Sequence, residues 1–210
     1  MHFVFDFGRV LFDWQPERLL QRLLPTRAFD AASTVFWTAQ IFQSYGGDWG
    51  EFDRGSVTPT ELVQRIARRT GLAADEVQAV VDAVPESLRP IPASLALMRR
   101  LRQPGQPMFF LSNMPASYAD HLERRHGFVR EFDDGVFSAR VKLIKPDPAI
   151  FTLAAQRFGV PPARLVFLDD HAPNVAAARA AGWQALVFSD ALQCEADLRQ
   201  AGFWPDAAGA

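Results

Sequence analysis

The chain holds a single cysteine, Cys194, which excludes an internal disulfide and any multi-cysteine zinc site. It has no apolar run near the roughly 18 residues of a membrane-spanning helix. It has no excess of one charge: 22 lysines and arginines face 24 aspartates and glutamates, a formal charge of −2. That balance excludes a basic nucleic-acid surface and an acidic tail. Internal repeats and low-complexity tracts are missing too. The opening residues, Met-His-Phe-Val-Phe-Asp, lack the basic stretch of a signal peptide and meet an acid at Asp6. What remains, over 210 residues with 49% hydrophobic and 22% charged, is the composition of a globular protein of one to two domains. The expectation is a cytoplasmic protein whose partner is neither a nucleic acid nor a membrane.

The apolar residues come in short continuous runs, as fully buried parallel strands require. They stand at 2–5, 108–111, 165–168 and 185–188, with a shorter one at 136–137. Helical patterns separate them. Asp147-Pro148 opens one as N-cap and first turn, Ile150, Phe151, Ala154 and Phe158 form its stripe, and Gly159 ends it. An alanine-rich helix at 175–181 stops at Gly182. Strands alternating with helices predict a parallel α/β sheet. The alternation breaks between about residues 15 and 84, where helical patterns occur without a strand. Leu19, Leu20, Leu23 and Leu24 make a stripe closed by Pro25. Thr58-Pro59-Thr60-Glu61 is a capping box, with Gly71 as terminator. Val77, Val80, Val81 and Val84 recur at helical spacing, and Pro85 is expected to stop them.

Ligands of parallel α/β sheets bind beyond the carboxyl ends of the strands. There the chain places Asp6, then Ser112-Asn113, then Asp169-Asp170, with Lys145-Pro146 just before a helix. Carboxylates suit a hard cation such as Mg2+. The lysine, the hydroxyl and backbone N–H groups suit phosphoryl oxygens.

These segments also resemble a known family. Phe5-Asp6-Phe7-Gly8-Arg9-Val10-Leu11-Phe12-Asp13 is similar to the first motif of the haloacid dehalogenase-like hydrolases. Leu111-Ser112-Asn113 resembles the second motif, Lys145-Pro146 the third, and the stretch from Val166 through Asp169, Asp170, His171 and Asn174 to Gly182 the fourth. All four stand in the family's order. The resemblance implies a Rossmann-like parallel sheet flanked by helices, with a core at 1–14 and 88–210 and an inserted helical cap at 15–87. Trp49-Gly50-Glu51-Phe52-Asp53-Arg54-Gly55 is most like the branch that includes bacterial glucose 1-phosphate phosphatases.

The resemblance implies a magnesium-dependent phosphatase of a small phosphorylated metabolite, a sugar phosphate, working through an aspartyl-phosphate. Asp6 is then the nucleophile, Ser112 binds a phosphoryl oxygen, and Lys145 neutralises charge. Asn113 and Arg9 join them in binding substrate. Mg2+ falls to Asp6, the Gly8 carbonyl and Asp170, with Asp169 as an open alternative. Three positions depart from the family pattern. Gly8 stands where most family phosphatases have a second aspartate, the general acid and base, so a preference for acidic leaving alcohols such as a sugar C1 hydroxyl is expected. Asn174 stands at a frequently acidic position. Arg9 replaces a small residue, which implies either a strained turn or a substrate contact. His171 is either a base or an N-cap. Of the cap aromatics Phe36, Trp37, Phe42, Tyr45, Trp49 and Phe52, most are expected to pack its core and one or two to close over substrate. Two rival readings stand beside this one. A 2-haloacid dehalogenase shares the nucleophile and needs no metal, but the acid pair Asp169-Asp170 opposes it. A non-catalytic relative would bind a phosphorylated ligand only.

Overall fold

In a computed structural model describing residues 1–205, the chain runs as follows. β1 (His2–Phe5) and β2 (Phe12–Asp13) lead into five helices: α1 (Pro16–Leu23), α2 (Ala31–Phe42), α3 (Gly47–Arg54), α4 (Pro59–Thr70) and α5 (Ala74–Ser87). β3 (Arg89–Pro90), α6 (Pro92–Leu101), β4 (Phe109–Ser112), α7 (Ala116–Arg125), β5 (Asp134–Phe137), α8 (Ser138–Val141) and α9 (Pro148–Phe158) follow. β6 (Leu165–Asp169), α10 (Ala172–Ala180), β7 (Gln184–Val187) and α11 (Ala191–Gln200) complete it. Five strands form one parallel sheet in the order β5-β4-β1-β6-β7. No described helix is long and apolar enough to cross a membrane.

Alternation along the strands sends neighbouring side chains to opposite faces. Phe3, Phe5, Phe110, Val166 and Leu168 join one apolar cluster, while Val4, Phe109, Leu111, Leu165 and Phe167 join another with Ile150, Phe151 and Trp183. The first cluster continues without a break into the helical insert through Trp49, Phe52, Ile66 and Val80. Each such side chain, fully buried, contributes roughly 1.5–3 kcal/mol. Register brings the functional strand ends to one edge. Phe5 pairs with both Phe110 and Leu168, and the Asp6 amide continues the ladder by donating to the Leu168 carbonyl at 2.9 Å.

The insert differs from the sequence pattern in two places. Its stem is a two-stranded antiparallel ribbon, Phe12 opposite Pro90 and Asp13 opposite Arg89, too short to register as an apolar run. And α5 passes through Pro85 to Ser87. A proline inside a helix cannot donate to the carbonyl four residues earlier, here that of Val81. The Tyr118 hydroxyl donates to that carbonyl instead, at 2.6 Å, so the helix continues. The capping box at Thr58 and the caps Asp147 and Gly159 form as the sequence predicts. The stretch at 203–210 reads in the sequence as a loose tail pinned by Trp204; that ring lies under Arg100 and Arg199, at 4.9 and 4.2 Å, and residues 206–210 lie outside the described residues.

Candidate active site

The loop after β1 is shaped by Phe7. Its ring is fully buried among Phe12, Phe110, Phe132 and Phe137, and its carbonyl accepts from the amides of Leu11 and Phe12. This tight turn puts Arg9 at φ 56°, in the left-handed region. A non-glycine residue there costs of order 1–3 kcal/mol and persists because the surroundings hold it. The Arg9 side chain turns to the cavity and its Nε donates to the Trp14 carbonyl at 3.4 Å. The strained turn is therefore present, and the side chain that causes it lines the cavity. Gly8, also at the cavity, has no left-handed backbone, and a Cβ placed on it would touch nothing within 4 Å.

Lys145 is the centre of charge. Only 3% exposed, its Nζ lies 2.9 Å from Asp6 Oδ1 and 2.5 Å from Asp169 Oδ2. Its backbone is clamped by one side chain. Asn113 Nδ2 donates to the Lys145 carbonyl at 2.9 Å, and the Lys145 amide donates to Asn113 Oδ1 at 2.8 Å. Asn113, expected to bind substrate, thus commits both ends of its amide to Lys145. Asp169 is saturated as well: besides Lys145 it accepts from the His171 amide at 2.8 Å and from Asn174 Nδ2 at 3.0 and 3.1 Å. Asp170 is partly exposed and has no side-chain hydrogen-bond partner among the described residues. Oxygens of Asp6, Asp169 and Asp170 lie within 4.8 Å of one another.

Three carboxylates thus face one ammonium, and Asp6 and Asp170 register the deficit. Burial pushes Asp6 up to about 7; Lys145 pulls down, Asp169 and Asp170 push up further. Asp170 is raised by burial and then by Asp169. Lys145 is raised although burial, the largest influence, opposes its charge, because Asp169 and Asp6 together outweigh it. Hard oxygen donors short of positive charge fit a divalent cation. The Ser112 hydroxyl, in a residue 1% exposed, lines the same cavity and has no partner among the described residues.

The cavity encloses about 220 Å3. Its floor is the sheet edge. Its roof is supplied largely by the insert and stem: Trp14, Tyr45, Trp49, Val84 and Leu88, with Met114 and Tyr118 from the core. Trp14 Nε1 donates to the Tyr45 hydroxyl at 2.7 Å. Phe42, Trp49 and Phe52 are buried while Phe36 is 53% exposed, so Tyr45 and Trp49 are the insert aromatics that reach the cavity. His171, exposed at the rim, is the N-cap residue of α10 without a side-chain cap. One acid in the roof stands in the motif at 49–55 but has no role in the sequence reading: Asp53, 4% exposed, in the last turn of α3.

Comparison with known proteins follows the same lines. A family model described as haloacid dehalogenase-like hydrolase matches residues 3–182. A sesquiterpene phosphatase of Aspergillus oryzae is 27% identical over 198 residues, 94% of each chain. A fructose-1-phosphate phosphatase of Escherichia coli is 33% identical over 126 residues, 60% of this chain and 66% of its own. Proteins named as haloacid dehalogenases also occur among the relatives. Among solved structures, an enzyme of the same family from Bacteroides thetaiotaomicron, in complex with magnesium and inorganic phosphate, superposes with a TM-score of 0.68. It is 20% identical, over 89% of this chain and 92% of that one, and so supports the fold.

Proposed function

The chain belongs to the haloacid dehalogenase-like hydrolases, and on that premise we propose that it is a magnesium-dependent phosphatase of a small sugar phosphate, working through an aspartyl-phosphate on Asp6. One observation carries the reading. Asp6, oriented by Lys145, shares its cavity with the unpartnered Ser112 hydroxyl and the unpartnered Asp170 carboxylate, in a cluster short of positive charge. Phosphoryl transfer is chiefly positioning and charge neutralisation, which this arrangement supplies. A sugar as leaving group is supported by the motif at 49–55 and by likeness to a fructose-1-phosphate phosphatase.

In this reading the insert at 15–87 is a cap over a core at 1–14 and 88–210. Asp6 attacks phosphorus, and water then hydrolyses the acyl phosphate. Ser112 and the Lys145 ammonium hold phosphoryl oxygens. Asn113 and Asn174 fix Lys145 and Asp169 in place, and Arg9 reaches the substrate from the rim. Asp6, the Gly8 carbonyl and Asp170 would hold Mg2+, which supplies neutralisation of phosphoryl charge when bound. Asp169, with both oxygens already engaged, is left to orient Lys145. A cytoplasmic location belongs to the same reading, supported by the single, free and buried Cys194.

The test is a phosphate-release screen over sugar phosphates and nucleotides, with magnesium and with chelator, beside a halide-release assay on 2-haloacids. Magnesium-dependent release from a sugar phosphate is expected. Halide release in chelator would establish the dehalogenase reading instead. Silence on all substrates with magnesium still bound would leave a ligand-binding relative.

A further inference from the structure

The proposed chemistry lacks a proton donor. When the bond from phosphorus to the leaving oxygen breaks, its electron pair needs a proton, and Gly8 offers no carboxyl. The floor of the cavity holds no substitute. Asp169 accepts four hydrogen bonds and is 0% exposed. In the roof, the Tyr118 hydroxyl donates to the Val81 carbonyl at 2.6 Å. Burial pushes the Tyr45 phenol up, which makes it a weaker acid. His171 stands exposed at the rim.

One group differs from all of these. Asp53 is buried as a residue, lines the same cavity as Asp6 and Lys145, and its carboxyl has no hydrogen-bond partner among the described residues. Buried acids ordinarily find partners, so an unpartnered one at a cavity wall marks a functional position. Its backbone is held firmly. The Ser138 hydroxyl donates to the Asp53 carbonyl at 2.5 Å and accepts from the Met114 amide at 2.8 Å, while the Lys142 ammonium reaches the Gly55 carbonyl. A side chain of the insert is thereby fixed relative to the sheet edge.

We propose that Asp53, brought to the cavity by the helical insert, is the general acid and base of this phosphatase, in the role that Gly8 leaves without a carboxyl. The inference rests on the proposed function above. In the first half-reaction an Asp6 oxygen bonds to phosphorus, the bond to the leaving oxygen breaks, and the Asp53 proton passes to that oxygen, releasing a neutral alcohol. In the second, water attacks the acyl phosphate while Asp53 takes its proton. The bond from phosphorus to Asp6 breaks, and inorganic phosphate leaves with both acids restored. Burial raises Asp53 well above the usual carboxylate range and the Asp6 charge raises it further, against the pull of Lys145. The carbonyl end of α3 disfavours a negative charge in the same direction.

The experiment measures kcat/KM over phosphate esters whose alcohols range from alkyl to nitrophenyl, for the full-length wild type and for Asp53→Asn, with magnesium. A nearly flat dependence on leaving-group acidity is expected for the wild type. Asp53→Asn should lose about 10²–10⁴-fold on alkyl phosphates, the usual worth of general acid–base help, and far less on nitrophenyl phosphate. Infrared difference spectra between the two should contain a protonated carboxyl band from the wild type. If Asp53→Asn does not fold, Asp53→Ser takes its place. A uniform loss on all esters, or none, overturns the inference and leaves the phosphatase standing. A wild type that releases no phosphate from any ester overturns both.

Discussion

The floor and the roof of the cavity are built on different principles. The floor is polar and interlocked around Lys145, which lies between Asp6 and Asp169 with Asn113 and Asn174 locking them from either side, while Ser112 and Asp170 stay open toward the cavity. These side chains sit at strand ends, on the loop before α9 or, for Asn174, in the first turn of α10, where parallel-sheet geometry fixes the backbone. The roof is apolar and aromatic, and its one buried acid has no partner. Its side chains come from α3, α5, the turn between α2 and α3, the stem and the start of α7, whose placement depends on packing. The floor is therefore suited to chemistry common to many substrates, and the roof to the identity of the alcohol. If the assignment of Asp53 holds, this division is incomplete, because the roof also supplies the proton.

The largest effect is expected at the floor. Asp6→Asn keeps the shape of the nucleophile and removes its ability to attack, so phosphate release should fall roughly 10⁴-fold or more while the circular dichroism spectrum is unchanged. Residual turnover of a few per cent would mean that a different group attacks phosphorus, and the floor would no longer be the reacting side. Lys145→Met comes next. It leaves Asp6 and Asp169 without their buried counter-charge, which costs about 3–5 kcal/mol of stability. Denaturant unfolding should report that loss, and kcat/KM should fall roughly 10²–10³-fold with it. Stability equal to the wild type would show that Lys145 is not the keystone of the floor.

Floor and roof also differ in how far the sequence reveals them. The four sheet-edge segments are legible because continuous apolar runs mark buried strands and their ends carry the polar residues. Strand limits shift by a residue or two: β4 runs to Ser112 and β6 to Asp169, since ladder hydrogen bonds continue past the last apolar side chain. The stem ribbon and the continuation of α5 through Pro85 were not legible. The first is too short for any periodicity, and the second depends on a hydroxyl contributed by Tyr118, 37 residues away from Val81. Asp53 stands in the motif at 49–55, but its burial is set by tertiary packing. Composition does carry a hint. Both tyrosines of the chain, Tyr45 and Tyr118, and both asparagines, Asn113 and Asn174, line the cavity. Rare residue types gathered in one place mark the site without any reference to helices or strands.

Asp170→Ala sharpens the choice between the two adjacent acids. Asp170 has no protein partner, so its loss should fall on the cation: magnesium half-saturation, measured by calorimetry, should weaken by roughly 100-fold, at least the cost of disturbing an outer partner of a ligand. Asp169→Asn disturbs the hydrogen bonds to Lys145 and Asn174 and should alter magnesium binding much less. The reverse order of the two effects would make Asp169 the direct ligand and move Asp170 to the role of support.

The smallest effect is expected at Gly8, and it tests whether floor and roof are interchangeable. A Cβ at Gly8 meets no atom within 4 Å and the backbone there is not left-handed, so the site accepts the first side-chain atom of Gly8→Asp without backbone strain. In the wild-type background Asp53 already supplies the proton, and a second acid nearby adds a like charge to a cluster that already holds three. The change in kcat/KM should therefore stay within a few-fold for every leaving group. In the Asp53→Asn background the same substitution has something to restore. It should recover alkyl phosphates much more than nitrophenyl phosphate, and so flatten the steep leaving-group dependence again, because a carboxyl at position 8 would aim at the reacting oxygen from the floor instead of the roof. A large gain in the wild type alone would mean that no acid serves the native enzyme, and Asp53 would then return to a structural part. A recovery that depends on the leaving group would mean that the reaction requires a carboxyl at the leaving oxygen and accepts it from either side of the cavity.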